Sequence, residues 1–158
     1  ESISSLMLDI GSWPHISLAI YENIDPIVLR QTLSRFASET SPFSVILASV
    51  GAFPGDAGAV FLAPVVTQEL LEIHRRFHRH LEDTGLECMG YYLPGSWVPH
   101  CTVAFGVEEN KIGAAAEMCL RSGAFGRVEI DEVCLIEFHP VREIYSFPLG
   151  GQGAGMDQ

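Results

Sequence analysis

The feature that most constrains this chain is a repeat. Pro14-His15-Ile16-Ser17-Leu18-Ala19 recurs as Pro99-His100-Cys101-Thr102-Val103-Ala104, 85 residues further on. Both copies have the form P-H-φ-[S/T]-φ-A, with φ apolar. The same offset carries Asp25 onto Asn110 and Phe53 onto Phe138. A repeat of this length implies one supersecondary unit written twice. The first copy reads as a strand over Trp13–Tyr21 and a helix from Pro26 to about Ser38, with Asp25 as N-cap. Ile27, Leu29, Leu33 and Phe36 fall on or near the apolar side of that helix. A strand over Phe43–Phe53, a turn over Pro54–Gly58 and a strand over Ala59–Val66 follow. The second copy reads as a strand over Val98–Val107 and a helix from an Asn110 cap to about Ser122. A long strand over Phe125–Phe138, a turn at His139-Pro140 and a strand over Arg142–Leu149 complete it.

Between the copies, Thr67 caps a helix running to about Asp83. Leu70, Ile73, Phe77 and Leu81 form its apolar stripe, and Gly85 stands at its C-terminal end. The expected fold is therefore α+β: two β-α-β-β units with pseudo-two-fold symmetry and mostly antiparallel sheets around a central cleft. Residues 1–149 form a single bilobal domain, with lobe 1 at about 9–66, the connecting helix at 67–83 and lobe 2 at about 87–149. Residues 150–158 carry almost no core-forming side chains and read as a flexible tail.

Composition narrows the function. Hydrophobic residues make up 47% of the 158 and charged residues 18%, which suits a packed body. Nine Lys+Arg against twenty Asp+Glu give a net charge of −11. Proteins that coat long nucleic acid neutralise phosphate and are basic, so that class is excluded. No run reaches the roughly 18 apolar residues of a membrane span. Glu1-Ser2-Ile3-Ser4 shows neither a basic region nor a cleavage pattern, so no secretion signal is expected. Cys88, Cys101, Cys119 and Cys134 form no CxxC pair and read as reduced thiols. The expectation is a cytoplasmic monomer.

The repeated motif carries the chemistry. In a strand, residues i and i+2 share a face, so His15 projects with Ser17 and His100 with Thr102. Ile16, Leu18, Cys101 and Val103 then point into the core. Two such strands facing one another supply two imidazoles and two hydroxyls to one site. Phosphodiester cleavage without a metal needs that set. One imidazole takes a proton from the attacking oxygen and the other gives one to the leaving oxygen. The hydroxyls bond the non-bridging phosphate oxygens. Imidazole suits both tasks because its ordinary pKa, about 6.5, lies near working pH. An isolated H-x-[S/T] is a weak signal. Its weight here comes from recurrence of the whole six-residue frame at equivalent points of a repeat.

On His15-Ile16-Ser17-Leu18 and His100-Cys101-Thr102-Val103, the chain resembles the 2H phosphoesterases. The nearer resemblance is to their LigT-like branch, the 2′-5′ RNA ligase and RNA 2′,3′-cyclic phosphodiesterase family. The resemblance spans about residues 5 to 149, including Phe53-Pro54, Val60-Phe61-Leu62 and Phe147-Pro148-Leu149. It implies a bilobal α+β fold with its site in the cleft. It implies metal-free, cofactor-free hydrolysis of 2′,3′-cyclic phosphates or 2′-5′ linkages in nucleotides or short RNA ends. It implies His15 as general acid and His100 as the base that activates water; the near-symmetric copies do not themselves assign these roles. Acidity and a chain shorter than many members favour a nucleotide or short oligonucleotide substrate. The competing readings are a nucleotide- or cyclic-phosphate-binding module without turnover, and 2′-5′ RNA joining.

Other residues carry weaker signals. Phe53 ends a strand and either stacks on a base or belongs to the core. Arg142 opens the last strand and either pairs with phosphate or lies at the surface. Trp13 and Trp97 flank the motifs and either wall the cleft or pack. His74 and His78 share a helix face at zinc-ligand spacing, but Arg75 stands where the zincin pattern needs glutamate, so no metal is expected. Arg75, Arg76 and Arg79, balanced by nearby acids, read as a solvated face. No GxxxxGK[S/T] loop occurs.

Overall fold

The computed structural model describes residues 11, 13–55, 58–138 and 140–151. The middle of the turn expected at Pro54–Gly58, His139 of the second turn and all but the start of the expected tail lie outside them. Nine elements follow in order: α1 (Pro26–Ser38), β1 (Phe43–Phe53), β2 (Gly58–Pro64), α2 (Gln68–Glu82), β3 (Cys101–Val107), α3 (Ile112–Arg121), β4 (Gly126–Ile130), β5 (Glu132–Glu137) and β6 (Arg142–Pro148). The fold is α+β, and the strand pairings resolved in its two sheets are antiparallel. The strand orders are β3-β2-β1-β4 and β5-β6.

Local chemistry explains the helix starts. The Asp25 carboxylate accepts from the Ile27 N–H, and Pro26, lacking an N–H, occupies the first turn. The Thr67 hydroxyl accepts from the Leu70 N–H at 3.1 Å and begins α2. Asn110 does not cap α3. A 3₁₀ turn over Glu109–Lys111 leads into the helix, which has no side-chain cap. Ile27 is exposed rather than packed, because Leu29, Leu33, Phe36 and Ala37 define the buried stripe.

The chain groups into two compact units, each drawn from three stretches. One takes residues 1–17, 45–65 and 99–128; the other takes 18–44, 66–98 and 129–158. In the first unit β2 is the inner strand, paired with β1 on one side and β3 on the other. Helix α3 packs on β2, where Val60, Val107 and Ala115 form a buried cluster. In the second unit α1 and α2 share a core of Leu29, Leu33, Phe36, Ile73, Phe77 and Leu81. The Phe36 and Phe77 rings meet edge-on at 5.1 Å. Val133, Leu135 and Phe147 of the β5–β6 hairpin close that core, and α1 lies on the hairpin. The helix of each sequence copy thus packs on the hairpin of the other copy.

Two expected strands are corrected. Trp13–Tyr21 forms no strand; it runs without a ladder and bends at Pro14 and Leu18. Phe125–Phe138 is not one strand. It divides at Asp131, whose carbonyl accepts from the Leu149 N–H at 2.7 Å, so β4 and β5 serve different sheets. Of the expected tail, Gly150 is described, and its N–H donates to the Ala37 carbonyl at 2.9 Å.

Gly58 begins β2 opposite Val107, where a Cβ would sit 2.5 Å from the Val107 carbonyl oxygen. That oxygen belongs to a sheet and cannot rotate away. Gly58→Ala is expected to cost about 1–3 kcal/mol through overpacking, read as a lower urea midpoint with an unchanged slope.

Candidate functional site

The second motif begins just before β3 and runs into it. Cys101 pairs with Leu62 and Thr102 with Phe61. After Thr102 the register slips: Val60 pairs with Ala104, leaving Val103 as an extra residue. A second slip passes over Gly106, whose φ of +68° suits a residue without a Cβ. Such bulges bend a strand and re-aim its side chains. They also correct one expectation. Val103 is 38% exposed rather than inward-facing, because the extra residue breaks the alternation that places Cys101 inside.

His100 is half-buried and held by rings. Phe53 meets it edge-on at 4.8 Å and 83°, and Phe61 lies 5.3 Å away at 55°. The two phenylalanines contact one another at 4.5 Å. Phe53 is therefore half-buried beside the second motif's imidazole, and Phe61 joins it from β2. The sequence reading gave Phe61 no such part. Its signal is strand pairing with Thr102, which no local motif reveals.

The first motif lies in the same compact unit as the second, as far as Ser17. His15 and Ser17 are half-buried. The His15 Nδ1 donates to the Trp13 carbonyl at 2.7 Å. That bond engages Nδ1 as the donor. Burial pushes the Cys101 thiol above its ordinary pKa, and a weaker hydrogen bond from the His15 backbone pulls the other way. The His15 main chain thus touches the side chain next to His100, and the two motifs are neighbours. Ser17 and Thr102 belong to the same assembly.

The remaining candidates have other partners or are exposed. Trp97 is buried, and its ring stacks on His74 at 3.9 Å with planes 2° apart. Arg142 is exposed on β6, 3.8 Å from the Glu137 carboxylate. Trp13 is on the surface. His74 and His78 both direct Nε2 to the Leu18 carbonyl, each at 3.1 Å. Among the described residues no group of three or more His, Cys, Asp or Glu is placed to hold a metal. The Glu72 carboxylate binds both Arg75 and Arg79, while Arg76 donates to the Thr40 hydroxyl at 2.8 Å. All four cysteines are free thiols. No described helix is long and apolar enough to cross a membrane.

Burial pulls the His74 pKa down to about 4, and the nearby His78 adds to the effect. The unfolded chain takes up a proton at this residue from about pH 6.5 downward, whereas the folded chain resists it until about pH 4. The contribution is present above pH 6.5 and lost as pH falls through that window. Urea midpoints between pH 7 and pH 4 are expected to fall less steeply in His74→Phe than in the wild type.

Comparisons with known proteins bear on the family and the fold. A sequence profile of the 2′-5′ RNA ligase superfamily matches residues 11–142, which include both motifs. The fold is similar to that of E. coli LigT in its crystal structure complexed with 3′-AMP. The TM-score is 0.55 at 14% identity, over 86% of this chain and 76% of LigT. No curated protein matches by sequence.

Proposed function

Because this chain belongs to the 2′-5′ RNA ligase superfamily and has the LigT-like fold, we propose that it is a metal-independent phosphodiesterase using two histidines. Its proposed substrates are 2′,3′-cyclic phosphates or 2′-5′ linkages in nucleotides and short RNA ends. The observation that carries this reading is the juxtaposition of the motifs, with the His15 backbone against the Cys101 thiol next to His100. The bilobal division, with lobes at about 9–66 and 87–149, belongs to this reading as the relation between the two sequence copies.

In the proposed reaction a water oxygen attacks phosphorus while one imidazole takes its proton. The bond from phosphorus to the leaving ribose oxygen breaks, and the other imidazole delivers a proton to that oxygen. Ser17 and Thr102 donate to the non-bridging oxygens as charge builds on them. By family analogy His15 is the acid and His100 the base, and the product of the cyclic substrate is the 2′-phosphate. The Nδ1–H bond to Trp13 supports His15's part, since it fixes the ring through the nitrogen that a proton transfer at Nε2 does not use. Phe53 and Phe61 restrict the His100 ring in the same way. The net charge of −11 favours a small substrate over long RNA. That charge also ranks hydrolysis above joining, which needs two RNA ends held at once. The 3′-AMP in the LigT crystal structure supports a nucleotide ligand. The proposed setting is a cytoplasmic monomer with no cofactor.

The test is a panel of 2′,3′-cyclic nucleotides, 2′-5′ dinucleotides and 3′-5′ dinucleotides in EDTA, with the product phosphate position identified. Turnover is expected on the first two classes, with a bell-shaped dependence on pH. His15→Ala and His100→Ala are each expected to lose at least about 10²-fold in kcat/KM, the scale of a positioned acid or base. Tight binding without product would favour a binding module, and full activity in either variant would overturn the assignment.

A further inference from the structure

The stretch carrying the first motif has no ladder, yet the motif needs a fixed backbone. Its neighbour in sequence, Leu18, supplies the anchor. The Leu18 carbonyl receives the Nε2 atoms of His74 and His78, both at 3.1 Å. These histidines stand one turn apart on α2 with ring centroids 4.5 Å from one another. Neither is free to swing. His74 is 2% exposed and lies flat against the Trp97 ring, while Phe77 meets the His78 ring edge-on at 5.8 Å. Below, the Leu18 side chain packs against the core that α1 and α2 share. Beyond it, the Ile20 carbonyl accepts from the Met89 N–H at 2.9 Å.

We propose that His74 and His78 are positioning residues for the first motif. Their ring N–H groups converge on one main-chain carbonyl and fix the Leu18–Ala19 peptide, one residue beyond Ser17. A strand satisfies its carbonyls through a neighbouring strand; here two side chains take that place. The spacing of four residues on α2 brings both rings to the same carbonyl. His15 and Ser17 lie three and one residues before the anchor, so freedom at Leu18 passes directly into both. The histidines do not touch the reacting atoms. Their contribution to rate is the preorganisation of groups that do, and a misplacement of about 1 Å in such a group costs on the order of 10²-fold. This inference rests on the dual-histidine reading for its effect on rate, while the anchoring itself is independent of it.

The experiment compares wild type with His74→Phe/His78→Leu, which keeps a ring on Trp97 and removes both donors. His78→Leu and His78→Gln are measured alongside. Hydrogen exchange is followed over residues 13–21, and kcat and KM are measured on the substrate the wild type prefers. The double variant is expected to exchange faster over that stretch, with α1 unchanged. Its kcat is expected to fall about tenfold or more with KM changed less than threefold. His78→Gln, which keeps an N–H in reach, is expected to stay within about twofold of wild type, and His78→Leu to fall below it. Lower thermal stability with kcat and exchange over 13–21 unchanged would overturn the proposal, because a purely structural role predicts that pattern. If the double variant does not fold, the two His78 variants decide by the same criteria. A wild type inactive on every substrate would overturn the proposed reaction, and exchange would then decide the anchor alone.

Discussion

Pairing between β2 and β3 is the contact on which the rest of this structure depends. The two strands come from different copies of the repeat, with 36 residues between the end of β2 and the start of β3. Their ladder sets Thr102 opposite Phe61 and brings Phe53 and Phe61 onto the His100 ring. It also makes β2 an inner strand. Val60 is then wholly buried, and the α3 face has a surface to pack on. Slips in the same ladder expose Val103 and turn the chain at Gly106.

The same principle governs the helices. A helix of 10 or 13 residues is marginal alone and draws its stability from burying one face. Here α1 buries its stripe on the β5–β6 hairpin and on α2, and α3 buries Ala115 on β2. Each copy of the repeat therefore completes the core of the other. One hydrogen bond marks the relation. The Ser44 hydroxyl donates to the Glu129 carboxylate at 2.6 Å, and the repeat offset carries one of these residues onto the other.

The histidines of this chain show how context divides one side-chain type into separate tasks. His15 turns one nitrogen to a carbonyl of its own segment. His100 is restricted by aromatic rings. His74 is buried among apolar and aromatic neighbours, which favours its neutral form and suits it to donate a hydrogen bond. His80 faces the Glu39 carboxylate at 3.2 Å. The α2 pair has zinc-ligand spacing, and both rings donate to the Leu18 carbonyl.

Much was legible before any coordinates. Asp25-Pro26 and Thr67 specify helix starts through short-range chemistry, and β1 begins and ends where its β-branched and aromatic run does. The recurrence of His15-x-Ser17 as His100-x-Thr102 was visible because a motif repeated at one offset is a strong local signal. What failed depended on distant partners. Trp13–Tyr21 has strand composition but forms no ladder with the described residues. Phe125–Phe138 is long enough for one strand, yet the Leu149 N–H claims the Asp131 carbonyl. The helices begun by Asp25-Pro26 and Thr67, the repeat, and the imidazoles and hydroxyls of the two motifs can be read along the chain, since they follow from propensity, capping and side-chain chemistry. Only the tertiary structure decided which helix covers which hairpin, that Phe61 joins His100, and that two histidines grip Leu18, because burial and hydrogen-bond satisfaction are settled between residues far apart in the chain.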